Sequence, residues 1–309
     1  MPKVSTILAV YNGDATIDRA LASIFVQTLA DNEIVVVNDG STDNTAAVLA
    51  GYGERIRVVT QPNRGVSAAR NAGARASAGE YLAFLDDDDE WLPEKLSRSV
   101  SLLDEDPQCA MAYTRAIKID RLGHQVGTMD AQASFAESPT MKEMLERPWN
   151  VIPSQMLVRH TIYERCGGFD ERLKRCEDLF FLLCVREFGH FRRVDEALVR
   201  KLVVPMYPKM LRRDPYCDLL IALVRDRFGS SADGFIQGFK RSRVRIMKEM
   251  ARVLLKEGKR AEARRCRARV IHYEPASPNA YIKYLKTFLP RRNRAPSPRT
   301  NDFRPAPRR

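Results

Sequence analysis

A chain of 309 residues is long enough for one large α/β domain and an appendage, and its 44% hydrophobic and 29% charged residues exclude a fibrous or wholly disordered protein. The net charge of +12 is concentrated in residues 240–309, where 22 Lys/Arg oppose five Asp/Glu, whereas residues 1–239 carry 29 against 34. This asymmetry argues against a nucleic-acid groove in the first region and for an anionic partner of the second; a membrane face, RNA and simple solubility remain alternatives.

Two further features bear on where the protein works. The sequence has no run of about 18 apolar residues, and its first residues lack the layout of a signal peptide, which predicts a cytoplasmic location. The six cysteines form no C-x-x-C pair, which favours free thiols in a reducing compartment. The basic end also fits peripheral contact with the inner face of an anionic membrane.

Strand and helix signals alternate through the first hundred residues. β-rich runs occupy residues 4–10, 33–38, 56–60 and 81–85, and a helical pattern follows each of the first three, with Asp14 as a candidate N-cap. The second run is almost continuously β-branched, as expected of a strand that is covered on both faces. This alternation predicts βαβ units and therefore a doubly wound, mainly parallel α/β sheet.

The regular alternation ends after the fourth strand. A helix is predicted over residues 93–103, and a strand over residues 110–119. Residues 120–150 are irregular and polar, a pattern that favours a mobile loop. We therefore expect no regular element between residues 120 and 150.

The last third of the chain is helical in pattern. Helices are predicted within residues 205–285, where Gly258 marks the turn of one tetratricopeptide-like hairpin. Residues 290–309 are rich in Pro and Arg and predict disorder. The chain therefore divides into a domain at 1–204, a helical extension at 205–289 and a basic tail at 290–309.

Polar residues follow all four strands of the first region. They are Tyr11 and Asn12, Asn38 and Asp39, residues 61–63, and the acidic run 86–89. Since ligands of open α/β sheets bind beyond the carboxyl ends of the strands, we expect these residues to share one edge and one ligand site.

The acidic run "LDDDDEW" is the most unusual of these strand ends. The sequence has neither G-x-G-x-x-G after the first strand nor a P-loop, so a divalent cation on carboxylates is the expected means of neutralising a nucleotide's phosphates. Alternation along an extended segment predicts Asp86 and Asp88 on one side, and Asp87 and Asp89 on the other. The alternative is a solvated acidic loop in which Asp89 or Glu90 caps the next helix.

Six motifs occur along residues 3–200, and their order in the chain is informative. They are "VSTILAVYNG", "EIVVVNDGSTDNT", "NRGVSAARNAG", "GEYLAFLDDDDEWLPEKL", "GGFDE" and "CEDLFFLL". Together they closely resemble a family 2, inverting glycosyltransferase. The resemblance implies a GT-A, Rossmann-like fold in which residues 1–204 bind a nucleotide-sugar and catalyse its transfer.

The resemblance also assigns ligand-binding residues. The positions that match the family's nucleotide-binding segments are Ala9, Tyr11, Asn12, Asp39 and Arg70. Asp39 can accept a hydrogen bond from an imide N–H, which suits uracil.

The acidic motifs carry the remaining implied roles. Asp86 and Asp88 match a D-x-D motif, with Asp88 implied as the ligand of Mn²⁺ or Mg²⁺, and with Asp86 or Asp87 at the ribose or supporting the metal. Asp178 of the "ED" motif matches the catalytic base, which removes a proton from the acceptor hydroxyl. From the residues alone, that motif is equally a helix start with favourable acids.

The leading functional hypothesis follows from the resemblance. It is a metal-dependent inverting glycosyltransferase of the hexosyltransferase type, active in polysaccharide biosynthesis. It would move a sugar from a nucleotide-sugar, with UDP-sugar as the first candidate, to a glycan, lipid-linked or protein acceptor. No nucleic-acid partner is expected.

Two other hypotheses remain open. One is a non-catalytic protein that binds RNA or an anionic surface through its basic C-terminal region. The other, a nucleotidyltransferase, would need a basic phosphate loop after the first strand, and "YNGDAT" has no basic residue.

Overall fold

The structure, a computed structural model, describes residues 1–129, 138–146, 151–203 and 214–288, without the side chains of residues 214 and 215. The predicted domain boundary after residue 204 and the predicted disordered tail at 290–309 both lie outside these residues.

The first half of the chain alternates between strands and helices as predicted. Its elements are β1 (Val4–Val10), α1 (Ile17–Phe25), β2 (Asn32–Asn38), α2 (Thr45–Ala50), β3 (Arg57–Thr60), α3 (Val66–Ala76), β4 (Tyr81–Asp86), β5 (Asp89–Trp91), α4 (Lys95–Glu105) and β6 (Cys109–Ile119). Helix α1 begins three residues after the predicted cap at Asp14, because Thr16 occupies the N-cap position.

The second half contributes the remaining strands and the helical extension. Its elements are β7 (Gln125–Met129), α5 (Met141–Glu146), β8 (Met156–Arg159), α6 (His160–Cys166), α7 (Glu177–Arg186), β9 (His190–Leu202), α8 (Asp214–Phe228), α9 (Asp233–Lys256), α10 (Arg260–Tyr273) and α11 (Pro278–Leu285).

The expectation of no regular element between residues 120 and 150 is wrong. Strand β7 pairs antiparallel with β6, and helix α5 follows it. Strand β7 is an exposed edge strand, so its sequence carries no apolar alternation by which to recognise it.

In the described ranges, nine strands form one sheet in the order β3-β2-β1-β4-β8-β6-β9-β5, with β7 attached to β6. Strands β1 to β4 are parallel to one another, whereas β8 runs antiparallel to both β4 and β6. The chain therefore has the predicted doubly wound α/β class with a helical extension.

The strand register brings the predicted site residues to one edge of the sheet. Val10 of β1 is level with Asn38 of β2, and Ala9 is level with Asp86 of β4. Strand order reverses around β1, because β2 lies on one side of it and β4 on the other. A crevice is expected at such a point, beyond the carboxyl ends of the strands.

Two apolar clusters cover the two faces of the sheet. Side chains alternate along β1, so Ile7 belongs to one cluster and Leu8 to the other. In the first cluster, the rings of Tyr163, Phe169 and Phe181 surround Phe84. Phe169 and Phe181 stack at 4.2 Å between centroids. This packing fixes the loop before α7, the helix that carries Asp178, the predicted catalytic base.

Contacts divide the chain into two units, Met1–Phe239 and Lys240–Arg309, and the division falls within helix α9. In the second unit, α9 and α10 meet at Gly258, the turn of the predicted hairpin. None of the helices in the described ranges is long and apolar enough to cross a bilayer. Contact with a membrane surface stays a prediction.

Lys95 is an unusual component of the first unit, because its side chain is completely buried at the start of α4. Its Nζ donates to the carbonyl of Met156 at 3.0 Å and lies 4.1 Å from the ring centroid of Trp91. Burial lowers the pKa of this ammonium to about 7. Above that pH, the unfolded chain binds a proton that the folded protein does not.

Lys95 should therefore make stability depend on pH. Because the folded pKa lies below the unfolded one, the free energy of unfolding contributed by Lys95 should rise by about 1.4 kcal/mol per pH unit above pH 7. Urea denaturation of the wild type and Lys95→Met at pH 7.5 and 9.5 measures this difference. The exposed Lys142→Met serves as control. Parallel pH profiles for wild type and Lys95→Met would contradict the assignment.

Candidate active site

A cavity of about 540 Å³ opens beyond the carboxyl ends of β1 and β2. It is lined by Ala9, Val10, Tyr11, Asp39, Asn63, Gly65, Val66, Ala69, Asp87, Lys174, Arg175 and Tyr216. Four of these residues, Ala9, Tyr11, Asp39 and Asp87, were predicted to bind the nucleotide-sugar. The structure brings them together, while their ligand contacts remain predictions.

Asp39 is held firmly at the cavity wall. Its Oδ1 accepts from Gln61 Nε2 at 2.7 Å and from Arg64 N at 2.9 Å, and its Oδ2 accepts from Gly65 N at 2.8 Å. The side chain is buried. Oδ2 keeps the capacity to accept one more hydrogen bond, which the predicted contact with an imide N–H requires.

The turn after β1 also depends on close packing. Asn12 adopts a positive φ of 54°, and its Oδ1 accepts from Thr42 N at 2.7 Å, so it ties this turn to the loop after β2. A Cβ on Gly13 would lie 2.4 Å from Asp87 Oδ2. Glycine at position 13 therefore lets the acidic turn approach β1.

The predicted alternation of the acidic run is wrong at Asp89. Asp86 ends β4, residues 87 and 88 form a turn, and Asp89 begins β5. Because this turn breaks the extended geometry, Asp89 lies on the same side as Asp86 and Asp88. Carboxylate oxygens of these three residues, here called the acidic cluster, lie within 4.8 Å of one another.

Lys201 of β9 reaches into the acidic cluster. Its Nζ lies 3.4 Å from Asp86 Oδ2, 3.3 Å from Asp88 Oδ1 and 3.0 Å from Asp89 Oδ1. Burial would lower the pKa of this lysine, but the three carboxylates outweigh burial and raise it. The lysine is therefore a permanent cation among the acids.

The acids of the turn respond differently to their surroundings. Burial would raise the pKa of Asp86, but the guanidinium of Arg70 and the ammonium of Lys201 hold it at about 2. Burial, with Asp88 and Asp86 nearby, raises the pKa of Asp87 to about 7. Burial also raises the pKa of Asp89 to about 7, against the opposing effect of Lys201. The acidic run thus contains more carboxylates than the single ammonium of Lys201 can neutralise.

Arg70 joins the acidic cluster to the start of helix α7. Its Nη2 donates to Asp86 Oδ1 at 2.6 Å, and its Nη1 donates to Glu177 Oε1 at 2.9 Å. The guanidinium also lies 5.1 Å from the ring centroid of Phe169, and its side chain is only 5% exposed. The predicted contact between Arg70 and the nucleotide-sugar is not tested by this geometry.

Asp178 occupies the first turn of α7, next to Glu177. Its Oδ1 accepts from Leu179 N at 2.9 Å, and it is partly exposed. Cys176, at the N-cap, has a φ of +64°, a strained conformation for a residue other than glycine. Through Glu177 and Arg70, the position of Asp178 is tied to that of Asp86. Its role as the base stays a prediction.

Asn71 braces the loop before α7 from the side of helix α3. Its Nδ2 donates to the carbonyl of Phe169 at 2.8 Å, and its Oδ1 accepts from Phe169 N at 3.0 Å. Gly168, in the same loop, has a φ of +69°. Motifs that lie about 100 residues apart thus form one structural unit.

Sequence reasoning missed several residues of the site. Lys201 stands in "VRKLV", which matches no motif, and only its pairing with Asp89 across β5 and β9 reveals its place. Ser154 donates to Asp89 Oδ2 at 2.6 Å and accepts from Asp86 N at 3.2 Å. Lys174 and Arg175 line the cavity. Their position just before the "ED" motif was a signal that could have identified them.

The acidic cluster has the chemistry of a site for Mg²⁺ or Mn²⁺, since both ions prefer oxygen ligands. Asp89 Oδ1 is buried and accepts no hydrogen bond from any residue that the structure describes, although Lys201 lies near it. A buried carboxylate oxygen that is balanced only by an ammonium and lies beside two other carboxylates fits a cation site. Asp88, the predicted metal ligand, belongs to this cluster.

Comparison with known proteins gives a family match over the first half of the chain. The family model for Glycosyl transferase family 2 matches residues 5–167. The uncharacterized glycosyltransferase EpsJ of Bacillus subtilis is 31% identical over 229 residues, which cover 70% of this chain and 64% of EpsJ. The chain spans 56% of the length of two curated rickettsial relatives.

Two solved structures share the fold. S. aureus TarS 1-349 in complex with UDP-GlcNAc superposes with a TM-score of 0.62 at 18% identity, covering 93% of this chain and 89% of that one. The mannosyltransferase PcManGT of Pyrobaculum calidifontis, in complex with GDP-Man and Mn²⁺, gives a TM-score of 0.57 at 19% identity, covering 92% and 79%. The sheet and its helices are thus those of glycosyltransferase structures.

Proposed function

This chain belongs to glycosyl transferase family 2, and we propose that it is an inverting, metal-dependent glycosyltransferase that moves a sugar from a UDP-sugar to a glycan, lipid-linked or protein acceptor. One observation carries the proposal. The cavity residue Asp87 adjoins the acidic cluster, and Arg70 links that cluster to the turn that bears Asp178. The residues proposed for the donor, the metal and the base therefore lie at one edge of the sheet, which supports the proposal.

The donor would bind in the 540 Å³ cavity. Ala9, Tyr11 and Asn12 belong to the wall and turn after β1, and Asp39 offers an acceptor for the imide N–H of uracil. Lys174 and Arg175 bring positive charge to the same cavity, where they would face the diphosphate. TarS, which shares the fold, binds UDP-GlcNAc. These features support a UDP-sugar as the first donor to test.

Asp88 would hold Mn²⁺ or Mg²⁺ together with Asp86 and Asp89. When bound, such an ion neutralises charge on the diphosphate leaving group as a Lewis acid. PcManGT carries Mn²⁺ with its GDP-Man, which supports the same ion class here. Asp87 lines the cavity instead of joining the cluster, and it would contact the ribose or sugar.

Asp178 would act as the general base. Its carboxylate takes the proton of the acceptor hydroxyl while that oxygen forms a bond to the anomeric carbon. The bond from the anomeric carbon to the diphosphate oxygen breaks on the opposite face, and its electron pair leaves with UDP. Attack opposite to the leaving group inverts the anomeric configuration. Glu177 and Arg70 would position Asp178 for this step.

Thermal stabilisation by nucleotides tests the proposed donor. UDP-, GDP- and dTDP-sugars are each added with and without Mn²⁺, because a bound ligand raises the apparent stability by mass action. A UDP-sugar is expected to raise the melting temperature most, and only in the presence of Mn²⁺. No shift with any nucleotide would contradict the proposed function.

A further inference from the structure

Lys201 enters the acidic cluster because of strand register. Asp89 of β5 and Lys201 of β9 are directly paired across an antiparallel ladder, so their side chains leave the sheet on the same side. Asp89 is 1% exposed, and the side chain of Lys201 is 23% exposed. The lysine is therefore built into the sheet and is not a surface side chain that has folded over the acids.

The Lys201 ammonium lies at the centre of the cluster. It is within 3.0 to 3.4 Å of an oxygen from each of Asp86, Asp88 and Asp89. Arg70 also contacts Asp86, through Nη2, but its Nη1 is bound to Glu177. Within the described residues, Lys201 is the cation that contacts all three acids of the cluster.

A divalent ion would need the same place. Mg²⁺ and Mn²⁺ prefer carboxylate oxygens as ligands, so an ion held by these acids would compete with Nζ for the oxygens that now surround it. An ammonium and a divalent ion cannot both occupy that position, because their charges repel and each excludes the other sterically. The lysine stem is flexible and can carry the ammonium away.

We propose that Lys201 is a tethered counterion, which occupies the centre of the acidic cluster in the metal-free protein and must withdraw before a divalent ion binds there. This inference rests on the metal site of the proposed function, and it adds the Lys201 ammonium as a competitor for that site. In the absence of metal, the positive charge of the lysine offsets the repulsion among the three neighbouring carboxylates. The same contact weakens the affinity of the free protein for the ion, and by linkage the ion weakens the contact of the lysine.

Two consequences follow for the order of binding. Mn²⁺ alone should bind the wild type weakly, since it must displace a cation that is covalently attached to the site. A nucleotide diphosphate contributes further oxygen ligands, so the ion is expected to enter together with the donor. Lys201 would thereby restrain metal uptake until the donor is present.

Titration with Mn²⁺ in the absence of any nucleotide tests the competition, with the signal of free Mn²⁺ read by electron paramagnetic resonance. Lys201→Met keeps the length of the side chain but removes its charge, and it should bind Mn²⁺ about 5- to 150-fold more tightly than the wild type, the usual range of coupling between sites. Lys118→Met is the matched control, because Lys118 is paired with Lys201 on the neighbouring strand β6. It should bind Mn²⁺ within about twofold of the wild type.

Two further variants test whether the gain in Mn²⁺ affinity arises at the acidic cluster and whether it comes from the lost charge and not from misfolding. The double variant Lys201→Met with Asp88→Asn should lose the gain in affinity. Lys201→Arg retains the cation and should bind Mn²⁺ no more tightly than the wild type. Equal Mn²⁺ affinity of the wild type and Lys201→Met, or tighter binding by Lys201→Arg, would overturn the proposal. These titrations contain no donor, so a failure of sugar transfer would leave their outcome unaffected.

Discussion

Replacing Asp178 by Asn is expected to lower kcat/KM for sugar transfer by about 10²- to 10⁴-fold, the usual contribution of a general base. The amide keeps the size of the side chain but cannot take the proton of the acceptor hydroxyl. Asp178 lies in the first turn of α7, beside Glu177, which Arg70 anchors. Release of UDP with varied acceptor measures the loss, and calorimetry with UDP-sugar measures donor affinity.

The split between these two measurements identifies the role of Asp178. Donor affinity should stay within about twofold of the wild type, since the base acts on the acceptor. Glu187→Gln removes a carboxylate next to the other end of α7 and should retain activity. A loss of donor affinity in Asp178→Asn that accounts for the whole loss of kcat/KM would show that Asp178 binds the donor and is not the base.

Arg70→Met is expected to lower the free energy of unfolding by about 3–5 kcal/mol, the cost of breaking a buried ion pair from one side. The substitution leaves Asp86 and Glu177 without the guanidinium that each of them contacts. The methionine preserves packing against Phe169, so the loss reports mainly on charge. Urea denaturation at neutral pH measures it.

Arg75→Met provides the control for Arg70, because Arg75 is exposed in the last turn of the same helix α3. It should change stability by about 0.5 kcal/mol or less. If Arg70→Met lost less than about 1 kcal/mol, the link between the acidic cluster and α7 would not be energetically important. The proposed positioning of Asp178 through Arg70 would then fail.

The sequence was sufficient to predict the parallel half of the sheet and the polar residues at its edge. Runs of β-branched residues alternate with helical patterns there, so β1 to β4 and the position of Asp39 follow from local periodicity. Strand β7 could not be predicted, because an exposed edge strand needs no apolar alternation. The helical hairpin around Gly258 was predictable from its turn and its flanking helices.

The candidate site was predictable only where its residues are close in sequence. Asp86 and Asp88 could be paired from spacing, but Asp89 joins them only because a tight turn interrupts the strand. Lys201 lies more than 100 residues from these acids, and its place depends on the pairing of β5 with β9. The bond from Arg70 to Glu177 likewise depends on tertiary packing. Such contacts leave no local pattern in the sequence.

Mn²⁺-dependent release of UDP is the most direct measurement of the central claim. A UDP-sugar is incubated with the wild type or Asp88→Ala, with Mn²⁺ or with a chelator, and UDP is quantified over time. The wild type is expected to release UDP with Mn²⁺. Chelation or Asp88→Ala should lower the release by about 10²-fold or more, because the ion would supply several kcal/mol to the departure of the diphosphate. Release that persists unchanged in Asp88→Ala, or its absence from the wild type with every UDP-sugar, would contradict it.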